Sequence, residues 1–198
     1  MRRPRDQRGF SFAEVLVTMV FALWLALMLQ QFQRTISFSV QAQEQRGQAQ
    51  ELARIGIDLM ARELRLAGYS GAGTPLLPLR IAGPTTIEVQ ADLNGNGAVT
   101  DSNEVVNYSY DAAKQALMRS TSGGSPQPMV DHVPAGAFQL EYHDGAGTVL
   151  AGTLTAAARA QVREVVIRLG VEFPLRYPAP HSVVVSHTER VQLRNAGL

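Results

Sequence analysis

The chain is 198 residues long, enough for one domain of ordinary size with an extension. Hydrophobic residues make up 45% and charged residues 18%, which excludes a disordered chain, and a net charge of +1 gives no sign of a nucleic-acid binder. With no cysteine, disulfides and thiolate metal sites are excluded as well.

The charge is unevenly placed. Arg2, Arg3, Arg5 and Arg8 stand against Asp6 in the first nine residues, which leaves 14 basic and 16 acidic residues elsewhere, a net of −2. The basic excess belongs to the N-terminus. An apolar stretch follows, "RGFSFAEVLVTMVFALWLALML", with no proline and no charge from Val15 to Leu29. A secretory signal is the first reading, but no A-x-A cleavage site follows. A plain membrane anchor is the second: the 20 residues Phe10 to Leu29 make about 30 Å of helix, just enough to span. That reading leaves Glu14 unexplained, since a charge at a membrane-helix centre costs roughly 2.5–3.5 kcal/mol, less near an end.

Arg8-Gly9-Phe10-Ser11-Phe12-Ala13-Glu14 resembles the class III signal of type IV prepilins and type II secretion pseudopilins. That pattern is a short basic leader, a glycine, usually a phenylalanine, glutamate as the fifth mature residue, then an apolar run. The resemblance implies cleavage between Gly9 and Phe10 by a prepilin peptidase and N-methylation of Phe10. It also implies an uncut helix that waits in the inner membrane. Glu14 would then pair with the new ammonium of Phe10, or with that of a neighbouring subunit, which offsets its burial and sets axial register. A glutamate that snorkels to the surface is the plainer alternative.

Proline is absent from Arg5 through Thr74, so one helix is expected from near Phe10 to near Ala67. In its polar second half Leu52, Ile55, Leu59, Arg62/Glu63 and Leu66 recur at i, i+3, i+4, an apolar stripe expected to pack on the rest of the chain. Gly68, Gly71, Gly73 and Pro75 end it. "LMARELRLAGYSG", Leu59 to Gly71, is similar to the helix end of PilW-like minor pilins and, more loosely, of J-type pseudopilins.

From Leu79 the period approaches two. Strands are expected at Leu79–Ala82, Thr86–Ala91, Val105–Tyr110, Ala116–Arg119, Ala137–His143, Arg163–Phe173 and His181–Leu193, with a helical turn or loop over 154–161. Ser122–Pro128 and Pro174 to Pro180 read as turns. The fold class is α+β: a long N-terminal helix covering a mostly antiparallel β-sheet domain, the lollipop arrangement of pilins. The expected divisions are a leader (1–9), a membrane or filament-core helix (10–30), the amphipathic half of that helix (31–67) and a β-rich head (68–198).

"DLNGNGAVTDSNE", Asp92 to Glu104, carries the one stretch with possible metal chemistry. Asp92, Asn94 and Asn96 occupy positions 1, 3 and 5 of a calcium-loop spacing, with Gly97 at 6 and the Ala98 carbonyl at 7. Position 12 departs from the pattern: Asn103 stands where a bidentate Glu is expected, with Glu104 next to it and Asp101 nearby. Two neutral asparagines imply weak Ca²⁺ binding, about 10⁻⁴–10⁻³ M. The alternative is a plain glycine-rich hairpin connection, because Asn-Gly is itself a turn signal.

No catalytic fingerprint occurs, and His132, His143, His181 and His187 lack ligand spacing, so an enzyme is not expected. The resemblance implies a structural subunit, a minor pilin of a type IV pilus that primes or caps the filament. Its partners would be other pilins, the prepilin peptidase and the inner membrane, with the head periplasmic before assembly. Two alternatives stay open: a J-type pseudopilin of a type II secretion system, and a membrane-tethered calcium-binding or adhesive module outside any filament.

Overall fold

The computed structural model describes residues 11–175 and 181–196. Two compact units divide the chain, Met1–Glu44 and Gln45–Leu198. Helix α1 runs Phe12–Leu66, uninterrupted because neither of its glycines removes a backbone donor and no proline intervenes. Its N-terminal stretch holds an 18-residue window of mean hydropathy 2.3, none of it buried, so the helix is long and apolar enough to cross a membrane.

The second unit is built on two antiparallel sheets. Strands β1 (Leu79–Ala82), β2 (Thr86–Gln90), β3 (Val105–Asp111), β4 (Ala116–Thr121) and β5 (Gln127–Val130) form a five-stranded meander in chain order. Strands β6 (Phe138–His143), β7 (Val149–Leu150), β8 (Glu164–Leu175) and β9 (His181–Gln192) form a second sheet in the order β7-β6-β8-β9. A short helix α2 (Ala156–Gln161) lies between β7 and β8, N-capped by Thr155. The sheets are joined by Leu140 N–H on the Pro84 carbonyl and Leu154 N–H on that of Ala82, both 2.8 Å. The buried Tyr142 hydroxyl donates to the Gly83 carbonyl, also at 2.8 Å.

Two strands went unread in the sequence. β5 contains Pro128, inside a stretch read as a turn; the strand is the edge of its sheet, where a missing N–H costs nothing. β7 is two residues long, too short for periodicity to register. At the other end of the head, β8 runs past Pro174. Its pairing with β6 stops at Leu169, so the proline sits where β9 alone flanks the strand.

The helix corrects its own expected stripe. The residues it buries are Ala49, Ala53, Gly56, Ile57, Met60, Ala61 and Leu64. Leu52, Ile55 and Leu66 are instead 44%, 58% and 44% exposed. Ile57, Met60 and Leu64 carry the buried apolar stripe, and the small residues Ala49, Ala53, Gly56 and Ala61 beside them let the helix axis approach the sheets closely. A Cβ on Gly56 would stand 2.7 Å from Val130 Cγ2 in the first sheet and 3.2 Å from Leu169 Cδ2 in the second. Leu79, Ile87, Leu117, Phe138, Ile167 and Leu169 fill the core around that contact, each no more than 1% exposed.

Candidate functional site

The stretch that resembles a prepilin signal is described from Ser11 onward; Gly9 and Phe10, with the rest of the expected 1–9 leader, lie outside the described residues. Within α1, Ser11 precedes the first helical residue and Glu14 Oε2 accepts its N–H at 2.9 Å. This is the reciprocal arm of a capping box: the third helical residue reaches back to satisfy a donor with no helical partner. The carboxylate also faces the positive end of the helix dipole. Glu14 therefore has a local role that the sequence reading did not assign, besides the pairing expected with Phe10.

The loop from Asp92 to Glu104 is built outward from two buried carboxylates. Asp92 and Glu104 are each 2% exposed. Asp92 Oδ1 accepts Gly95 N–H at 2.8 Å and Oδ2 accepts Gly97 N–H at 3.1 Å. Glu104 accepts Leu93 N–H at 3.1 Å and Asp101 N–H at 3.0 Å, one on each oxygen. Both acids thus satisfy backbone donors of a turn that has no ladder of its own. Asn94 and Asn96 each accept the N–H two residues on, from Asn96 at 2.9 Å and Ala98 at 2.8 Å, as Asx turns do. Their amide nitrogens converge on one atom, Asp101 Oδ2, each at 2.8 Å. Asn103 takes φ +65°, in the left-handed region that asparagine tolerates.

Of the seven residues marked for calcium, Asn94, Asn96 and Asp101 meet at one point, while Asp92 and Glu104 are engaged by backbone N–H groups. Among the described residues no group of three or more His, Cys, Asp or Glu is placed to hold a metal ion. A cation at the Asp101 side chain would need the two asparagine amides to turn oxygen inward, which gives up the Asn96 and Ala98 N–H bonds. The residues fit a weak oxygen-ligand site on that condition.

The helix exit, unconnected with this loop in sequence, braces it. Gly71 N–H donates to the Asp92 carbonyl at 3.1 Å, and Asp92 N–H donates to that of Tyr69 at 2.8 Å. Gly71 and Gly95 approach so closely that a Cβ on Gly71 would lie 2.7 Å from Gly95 Cα. Asn195, near the end of the chain, closes the same corner by donating to the Ala67 carbonyl at 3.2 Å, an acceptor the helix leaves open.

Sequence reasoning also missed a polar cluster under the helix. Glu63 accepts Arg119 Nη2 from β4 at 2.6 Å, and its other oxygen accepts the hydroxyl of Tyr108 from β3. Burial first, then the Glu63 charge, pushes the Tyr108 hydroxyl pKa well up. The signal lay in the stripe itself, where Glu63 interrupts an apolar series. Above the cluster a cleft of about 350 Å³ opens between α1 and the first sheet, rimmed by Leu59, Leu66, Val89 and Leu93.

No protein-family profile matches this chain, and no curated protein matches it. Among solved structures it is similar to a type IV-like pilin from Thermus thermophilus, with a TM-score of 0.50 and 15% sequence identity. The match covers 75% of this chain and 96% of that one. The fold, a long N-terminal helix with antiparallel sheets, is that of a type IV-like pilin.

Proposed function

We propose that this chain is a pilin-type structural subunit, specifically a PilW-like minor pilin that acts in assembly or priming of a type IV pilus. The observation that carries the reading is the joining of two things in one chain: a pilin-like fold and a helix whose apolar N-terminal stretch is wholly uncovered. Exposed apolar surface on that scale calls for a membrane or a bundle of like helices. On this proposal the peptidase cuts between Gly9 and Phe10, Phe10 is methylated, and the helix holds the protein in the inner membrane with the head in the periplasm. Subunits then pass into the filament. Glu14 exchanges its capping bond, or shares it, with the ammonium of Phe10. The cleft between Leu59, Leu66 and Leu93 is a concavity suited to an apolar group of a neighbouring pilin.

N-terminal mass spectrometry of the membrane-extracted protein tests the reading. A methylated Phe10 terminus is expected; a chain still starting at Met1 in cells with active prepilin peptidase would overturn it. A J-type pseudopilin of a type II secretion system shares this processing. Co-purification with pilus subunits or with secretion-system subunits tells the two apart.

A second proposal concerns the loop. Asn94, Asn96 and Asp101 gather at one point, and with both amides turned oxygen inward they would bind Ca²⁺ weakly there, with Asp92, Ala98, Asn103 and Glu104 shaping the turn. Millimolar calcium outside the cell is enough to occupy a site of that strength.

A further inference from the structure

Asn94-Gly95-Asn96-Gly97 sets two Asn-Gly dipeptides in succession, all four residues exposed. An asparagine side chain loses ammonia when the next backbone nitrogen attacks its Cγ, and glycine, with no side chain, hinders that attack least. The loop occupies both attacking nitrogens. Gly95 N–H and Gly97 N–H donate to the two oxygens of one carboxylate, Asp92. Asp92 is buried and is itself pinned by Tyr69 and Gly71. The atoms under attack are held as well, since each asparagine amide is fixed by a backbone N–H on its oxygen and by Asp101 on its nitrogen.

We propose that Asn94 and Asn96 are latent deamidation sites that the Asp92 carboxylate holds shut, and that opening of this loop makes them reactive. In the open loop the glycine N–H gives its proton to a solvent base and the nitrogen bonds to asparagine Cγ. The Cγ–NH₂ bond breaks and ammonia leaves, protonated by solvent. Water then opens the five-membered imide at either carbonyl, leaving aspartate or isoaspartate. One water is consumed and one ammonia released, with no oxidant or reductant. Each conversion replaces an amide that donates to Asp101 by a carboxylate that faces it, so attraction becomes like-charge repulsion. Both together raise the acidic groups of residues 92–104 from three to five, with no basic residue among them. The first event thus favours the opening that the second requires.

The test is independent of the pilin reading. Full-length protein in detergent is held at mildly alkaline pH, natively and unfolded in urea. Mass spectrometry of the peptide spanning Asn94 and Asn96 follows the amide-to-acid change, and Asn107 in β3 reports background. The native rate is expected to be at least about tenfold below the urea rate, because reaction waits on local opening. Asp92→Ala is expected to erase most of that difference, and Asp101→Asn, which keeps both glycine N–H bonds, to erase less. Native protein that deamidates as fast as unfolded protein overturns the proposal. So does an Asp92→Ala rate at or below the parent's, the latter marking Asp92 as a base for the attack. If Asp92→Ala does not fold, Gly71→Ala, which pushes on Gly95 and leaves Asp92 in place, takes its role with the same expected rise.

Discussion

Gly56 on the long helix faces Val130 on the edge strand β5 with no room between them: an added Cβ would lie 2.7 Å from Val130 Cγ2. Gly47, nine residues earlier on the same helix, has nothing within 4 Å of where an added Cβ would stand. The pair separates helix propensity from packing. Alanine at Gly47 should stabilise the protein by up to about 1 kcal/mol, the ordinary helix gain. Alanine at Gly56 should destabilise it by about 1–2 kcal/mol, because overpacking outweighs that gain. Thermal unfolding in detergent should show melting temperatures moving in opposite directions, by about 2–4 °C per kcal/mol.

Glu63 sits at the centre of an ion pair and a hydroxyl bond, with its side chain 17% and that of Arg119 25% exposed. Glu63→Ala strands both partners. A fully buried pair broken this way costs about 3–5 kcal/mol, and the remaining solvent contact here brings the expected loss to about 2. Tyr108→Phe removes only the hydroxyl and should cost about 1 kcal/mol. Equal losses in the two variants, by chemical denaturation, would mean that Arg119 is solvated rather than held.

Burial raises the hydroxyl pKa values of both Tyr108 and Tyr142, from an ordinary 10.0. Raised values stabilise the fold below the unfolded-state value, and the contribution is lost as pH rises beyond it. Stability should therefore fall as pH climbs above about 10. The double variant Tyr108→Phe, Tyr142→Phe should show a shallower decline over that window, read from melting temperature against pH.

Calcium at about ten times Kd should stabilise the protein by roughly 1.4 kcal/mol. Melting with millimolar Ca²⁺ and with chelator should differ for the parent and coincide for Asp101→Ala. A parent indifferent to calcium leaves the loop as a turn closed by Asp92 and Glu104.

Glu14→Val should insert into the membrane as well as the parent, since it removes a charge from an apolar helix. It loses both the cap on Ser11 and the proposed partner for Phe10. Co-purification with the pilins proposed as its partners is expected to drop; unchanged recovery would dismiss the proposed pairing. Glu14→Gln keeps a capping acceptor, so recovery between the two separates capping from charge.

The sequence by itself determined the long helix, because an apolar run without proline and a glycine cluster at its end are local facts. It determined most strands for the same reason, and it singled out the turn from Asp92 to Glu104 by its spacing. Tertiary structure decided which face of the helix is buried. Ile57, Met60 and Leu64 face inward while Leu52, Ile55 and Leu66 do not, because Ala53, Gly56 and Ala61 lie beside the first set and permit the close approach to two sheets. It also decided that strands form two sheets rather than one, through pairings that depend on distant partners, and that Pro128 falls on an edge. The loop's meaning moved most. Spacing marks every oxygen from Asp92 to Glu104 as a candidate ligand, but long-range packing against Tyr69 and Gly71 buries Asp92 and turns its oxygens onto backbone N–H groups. Only contacts across the fold distinguish an oxygen free to bind from one already held.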